Sequence, residues 1–139
     1  MTPLHNVPDV AAFVADRLGG GGRFTDCATM GWRMGDEVAG VVFHNWLKAF
    51  GTIEVSAVSD VRGMWSPRRL GELMAYPFDQ LGCRAVIARC SERNVRARRI
   101  MARLGAVEHV IPDLRADGEA ECMCVLHRAA WEQRSERYG

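Results

Sequence analysis

The chain has 139 residues and a formal net charge of +1, from 18 Lys and Arg against 17 Asp and Glu. That length is read as one domain over residues 1–139, with one hydrophobic core, and the balance gives no electrostatic reason to expect nucleic acid or an anionic membrane as partner. No apolar run approaches the ~20 residues of a membrane-crossing helix, and five cysteines with no secretory leader before them point to a reducing, cytoplasmic compartment.

Residues 8–18 have Val10, Phe13, Val14 and Leu18 at helical spacing behind Pro8, which predicts an amphipathic helix. Gly19 to Gly22 end it and are read as a linker. A phosphate loop is excluded there, because no Lys-Ser or Lys-Thr follows and no strand precedes. Residues 27–34 and 37–46 read as two strands joined at Gly35-Asp36, a hairpin signal. A third strand starts near Thr52, with Ile53, Val55 and Ala57 on one face and Glu54, Ser56 and Val58 on the other.

The stretch from Thr52 to Gly105 then reads strand, tight loop, helix, strand, helix. Ser66 is a natural cap and Pro67 a natural first residue for the helix that carries Leu70, Leu73, Met74, Phe78 and Leu81 on one stripe. Pro77 predicts a kink near Tyr76 or an early end. Residues 83–90 form a short apolar run suited to a buried parallel strand. A second helix, 95–104, buries Ala97, Ile100, Met101 and Leu104 and is closed by Gly105. A last strand pair, 107–112 and 119–126, flanks a turn at Asp117-Gly118. A terminal helix over 128–137 is anchored by Trp131.

Asn94, Ala97, Ile100-Met101, Leu104 and Gly105, with the segment SPRRLGELMAYPFDQLGCRAVIARCSERN and GVVFHNW upstream, resemble the GNAT superfamily of acyl-CoA-dependent N-acetyltransferases. The pattern is most similar to small GNAT proteins encoded by bacteriophages. The likeness runs from about Cys27 to Trp131 and is strongest in the C-terminal block. The phosphate loop departs from the family's arginine or glutamine followed by spaced glycines: here it is Arg62-Gly63-Met64-Trp65-Ser66-Pro67. The resemblance implies an α/β fold, a single GNAT-like domain whose mixed, mostly antiparallel sheet has helices on both faces. It also implies an acetyltransferase that moves an acetyl group from acetyl-CoA to an amine of a small molecule or protein by direct attack. The rival is a catalytically weak acyl-CoA-binding or regulatory protein on the same fold. Oligomeric state is not set by the sequence, and a homodimer is compatible with it.

By the same resemblance, main-chain groups of Ala57, Val58 and Ser59 hold the pantetheine arm, with an N–H near Val58 as oxyanion donor. Backbone groups from Arg62, Gly63, Met64, Trp65 and Ser66 face the pyrophosphate. The residues alone leave an ordinary strand-to-helix loop open, and turn chemistry for the Ser59 side chain. Asn94 contacts the cofactor, caps the helix, or does both at once, and Arg98, one turn on, reaches a CoA phosphate. Glu54 is the expected base and His44 its alternate, since an alkyl amine titrating near 10.4 must lose a proton before attack. Their plainer readings are a salt-bridged strand glutamate and a polar strand end. Many family members carry a tyrosine acid where this chain has Met101. The cysteines Cys27, Cys83, Cys90, Cys122 and Cys124 read as small buried apolar side chains, with no metal expected.

Overall fold

A computed structural model describes residues 2–5, 8–18 and 26–138. Its elements are β1 (Thr2–His5), α1 (Pro8–Leu18), β2 (Ala28–Met34), β3 (Glu37–Leu47), β4 (Thr52–Ser59), α2 (Pro67–Ala75), β5 (Ala85–Ser91), α3 (Val95–Leu104), β6 (Val107–Ile111), β7 (Glu121–His127) and α4 (Arg128–Tyr138). The strands form one sheet in the order β1-β2-β3-β4-β5-β7-β6, and β4–β5 is its parallel pair. A single α/β domain with a mixed, mostly antiparallel sheet and helices on both faces is what the resemblance implied. The edge strand β1 was not foreseen, and the Gly19–Gly22 linker lies outside the described residues.

The main core lies between the sheet and α2, α3 and α4, around Val41, Phe43, Ile53, Val55, Leu73, Val86 and Leu126. A smaller core under α1 joins Val10 and Val14 to Val42. Two glycines make the second core: a Cβ on Gly40 would stand 2.9 Å from Val14 Cγ2, and one on Gly31 3.1 Å from Val10 Cγ2. Bare backbone at these strand positions lets α1 lie close to the sheet.

The helix α2 begins where Ser66 Oγ accepts the Arg69 N–H at 3.2 Å, with Pro67 in its first turn. Pro77 ends it as expected. The helix stops at Ala75 and the chain widens into a π turn over Tyr76–Gln80. That turn drives Phe78 into the core, its ring stacked on Trp131 with centroids 5.0 Å apart. The Arg128 side chain then covers the turn from outside, donating to the carbonyls of Phe78 and Cys83.

Candidate active site

The site is made where β4 and β5 part. Their register runs Thr52–Ala85, Ile53–Val86, Glu54–Ile87 and Val55–Ala88, and stops. Beyond it β4 continues to Ser59 paired with β3, and β5 continues to Ser91 paired with β7. The open head shows in exposure too: Ala57, in the middle strand of a seven-stranded sheet, is exposed, two residues beyond the buried Val55.

Hydrogen-bond parity decides which main-chain groups look into this gap. Asp60 N–H donates to Val38 O at 3.0 Å, so even-numbered residues of β4 turn their amides toward β3. On the other edge Gly51 O accepts from Arg84 N–H at 2.6 Å and Ala85 N–H at 3.3 Å, so odd-numbered residues turn toward β5. Below the split those groups belong to the parallel ladder. Above it, Ala57 and Ser59 present theirs to the gap. This corrects the placement of the donor near Val58, whose amide faces Gly40 and whose side chain packs against the small core under α1.

The loop after β4 follows from its own side chains. Ser59 Oγ both donates to Val61 O and accepts from Val61 N–H, each at 2.9 Å, which closes a tight turn. Val61 and Met64 are buried with Ala39, and Trp65 lies edge-on to Trp32, so the loop is pinned from beneath. Among the described residues, no main-chain carbonyl accepts from the N–H groups of Arg62, Gly63, Met64 or Trp65. Arg62 and Gly63 are exposed, the latter at φ +69°. Arg69 is turned inward, over the Trp32 ring and onto Met64 Sδ at 3.2 Å. The mouth is braced by α1, whose Arg17 forks onto Asp60 and holds that carboxyl below its usual range.

On the α1 face the seam is polar. His44 and Glu54 are register partners, and so are Val42 and Ser56. His44 Nε2 lies 2.9 Å from Ser56 Oγ, and burial lowers the imidazole pKa despite the opposing field of Glu54. Glu54 is held at both oxygens: Asn45 Nδ2 donates to Oε2 at 2.6 Å, and Arg89 Nη1 stands 4.0 Å from Oε1. Asn45 reaches it because β3 is irregular between His44 and Leu47, with Asn45 itself at φ +50°. Arg89 also donates to Glu121 at 3.2 Å, and Arg115 holds the other oxygen of Glu121 at 2.6 Å. Glu121 is only 5% exposed, so this is a deep ionic row. The sequence reading missed Asn45, Arg89, Arg115 and Glu121 as a group. Their one visible signal was a carboxylate in an apolar strand.

Two other residues expected at the cofactor have partners within the chain. Asn94 Oδ1 accepts the Ala97 N–H at 3.1 Å and caps α3. The Arg98 guanidinium is forked onto Glu108 by two 2.9 Å bonds and donates to Glu92 O at 2.7 Å. A phosphate would meet Arg98 already paired with Glu108. Met101 is buried in the main core. A shallow groove lined by Trp65, Pro67, Leu70, Arg103, Leu104 and Trp131 lies on the other face of the sheet from Glu54.

Solved structures share this fold. The spermidine N-acetyltransferase SpeG from Vibrio cholerae, as a point mutant, superposes with TM-score 0.76 at 10% identity, over 97% of this chain and 99% of that one. A GCN5-related N-acetyltransferase from Brucella melitensis gives 0.63 at 18%, over 81% and 56%. The chain has the GNAT fold. A protein from T. thermophilus assigned as an acetyltransferase gives 0.66 at 20% over 81% of this chain, and this chain spans 64% of its length. At such identities the likeness is one of fold. No family model matches the sequence, and no curated protein matches it. Among the described residues, no helix is long and apolar enough to cross a membrane.

Proposed function

We propose that this protein transfers an acetyl group from acetyl-CoA to an amine, by direct attack in a ternary complex. The observation that carries the reading is the seam that closes at Val55–Ala88 and opens above, with the amides of Ala57 and Ser59 facing the opening. A pantetheine arm has amides that pair with such an edge, and its thioester would lie toward the split. One N–H aimed at the developing oxyanion is worth about 3–4 kcal/mol. Here that donor is Ala57 or Ser59. The pyrophosphate would meet the N–H groups of Arg62 to Trp65 and the start of α2, where the helix dipole favours negative charge.

Glu54 is the base in this reading, directly or through a water, on the face of the sheet that carries α1. Asn45 holds one of its oxygens and Arg89 stands 4.0 Å from the other. His44 is the second candidate: kept neutral by burial, it accepts a proton at neutral pH. The acceptor is an amine of a small molecule or protein. Spermidine belongs in a first panel because structures that share the fold carry that activity by name. The row at the seam, however, matches its carboxylates with Arg89 and Arg115, so it offers no excess negative charge to a polycation. A cytoplasmic location and the pattern similar to phage-encoded proteins belong to the same reading.

The buried Met101 favours one alternative, an acyl-CoA binder with weak turnover, because α3 supplies no proton donor there for the leaving thiolate. A thiol titrating near 8.5 still leaves without one. Acetyl-CoA should raise the melting temperature, by about 2.7 kcal/mol of stability at a hundred times its Kd, while AMP should not. Release of free thiol with an amine panel then separates transferase from binder. No shift with acetyl-CoA would end both.

A further inference from the structure

Across the sheet from Glu54, β5 and β7 bring three thiols together. Cys90 and Cys122 are register partners, and Cys124 lies two residues further along the same face of β7. Their sulfurs all lie within 4.8 Å of one another, with Cys122 Sγ and Cys124 Sγ 3.8 Å apart. Two thiolates on one tetrahedral ion, at metal–sulfur bonds of ~2.3 Å, stand about 3.8 Å apart; on a trigonal ion the figure is about 4.0 Å. The observed separation is already that of two ligands sharing one ion.

The surroundings suit an ion as well. Cys122 and Cys124 are fully buried, while Cys90 is half-buried, on the part of β5 that has left β4, so the trio has a closed floor and an accessible side. Three thiolates around a divalent cation carry one net negative charge. Glu108, the register partner of Cys124, is within hydrogen-bonding reach of the Cys122 thiol, with its two oxygens forked onto Arg98. Cys-x-Cys on a strand offers only two ligands. The third comes from a strand 32 residues earlier in the chain, which no local spacing shows.

We propose that Cys90, Cys122 and Cys124 form a binding site for one thiophilic d10 cation of about zinc's size. Binding releases the three thiol protons to solvent and forms three metal–sulfur bonds, with no change of oxidation state. The test is anaerobic titration of the reduced full chain with cadmium, followed by zinc competition. Expected are one equivalent bound, a thiolate-to-cadmium absorption, its loss on adding zinc, and its absence in Cys90→Ala but not in Cys27→Ala. No absorption in the parent protein, a stoichiometry other than one, or full retention in Cys90→Ala overturns the site. Should Cys90→Ala fail to fold by circular dichroism, iodoacetamide labelling of the parent decides. Cadmium must slow labelling of Cys90 and leave Cys27 unchanged, and equal labelling of Cys90 with and without metal ends the proposal.

Discussion

The foot and the head of the β4–β5 seam are built from the same two strands and behave in opposite ways. At the foot, Ile53, Val55 and Val86 are buried, main-chain groups are shared in a parallel ladder, and Phe43 lies beside Val55 as its register partner. Two residues further on, Ala57 and Ser59 have small side chains, no partner strand on the β5 side and amides turned outward. The buried packing lies below the split and the free cofactor edge above it. A substitution at one level should therefore spare the other.

The largest expected effect is at the foot. Phe43 is 1% exposed and its ring lies 5.1 Å from that of Tyr76. Phe43→Ala removes a large buried side chain and should cost about 3–5 kcal/mol in stability, read by urea denaturation. A loss under about 1 kcal/mol would mean the foot does not hold the seam together.

Glu54→Gln, just below the split, keeps size and the Asn45 contact but removes the base. Its kcat/KM should fall about 10²–10⁴-fold with the acetyl-CoA thermal shift unchanged. Full activity in this variant would pass the role to His44. Ala57→Trp tests the opening itself: filling it should abolish the acetyl-CoA shift while the apo melting temperature stays near the parent's, because Ala57 lies outside the core. A preserved shift would place the cofactor elsewhere.

What was legible in the sequence divides along the same line. The helices 8–18 and 95–104, the hairpin at Gly35-Asp36 and the break at Pro77 could be read because each rests on local chemistry: periodicity, a cap, a turn, a missing N–H. Register could not be read. The split after Val55–Ala88, the parity that gives the gap to Ala57 and Ser59 instead of Val58, and the row from Asn45 to Arg115 depend on which residues stand opposite one another. Such pairings join residues far apart in the chain, as Arg89 and Glu121 are at 32 positions. The partner of Arg98 was hidden for a related reason. Helical spacing put it on the side of Asn94, but Glu108 on β6 competes for its guanidinium and takes it.

A smaller effect is expected at the rim. Ser66→Ala removes the acceptor for the Arg69 N–H at the start of α2 and should cost about 1 kcal/mol. If the loop also meets the pyrophosphate, KM for acetyl-CoA should rise while kcat holds. An unchanged KM would restrict Ser66 to its structural task.

The smallest effect is one of pH, and it concerns His44 at the polar side of the seam. Burial lowers its pKa in the folded protein below the usual 6.5, so the unfolded chain binds the proton more readily. The contribution of the neutral ring is thus complete above about pH 6.5. It is lost as pH falls from there toward the depressed folded-state value, and it levels off below. Stability of the parent should therefore decline more steeply on acidification through this window than that of His44→Gln, which has no proton to take up and can retain a contact with Ser56. Equal slopes would mean that the ring gains its charge as easily inside the fold as outside it. The desolvation that keeps His44 neutral beside Glu54 would then be absent, and with it the ground for treating His44 as a second base.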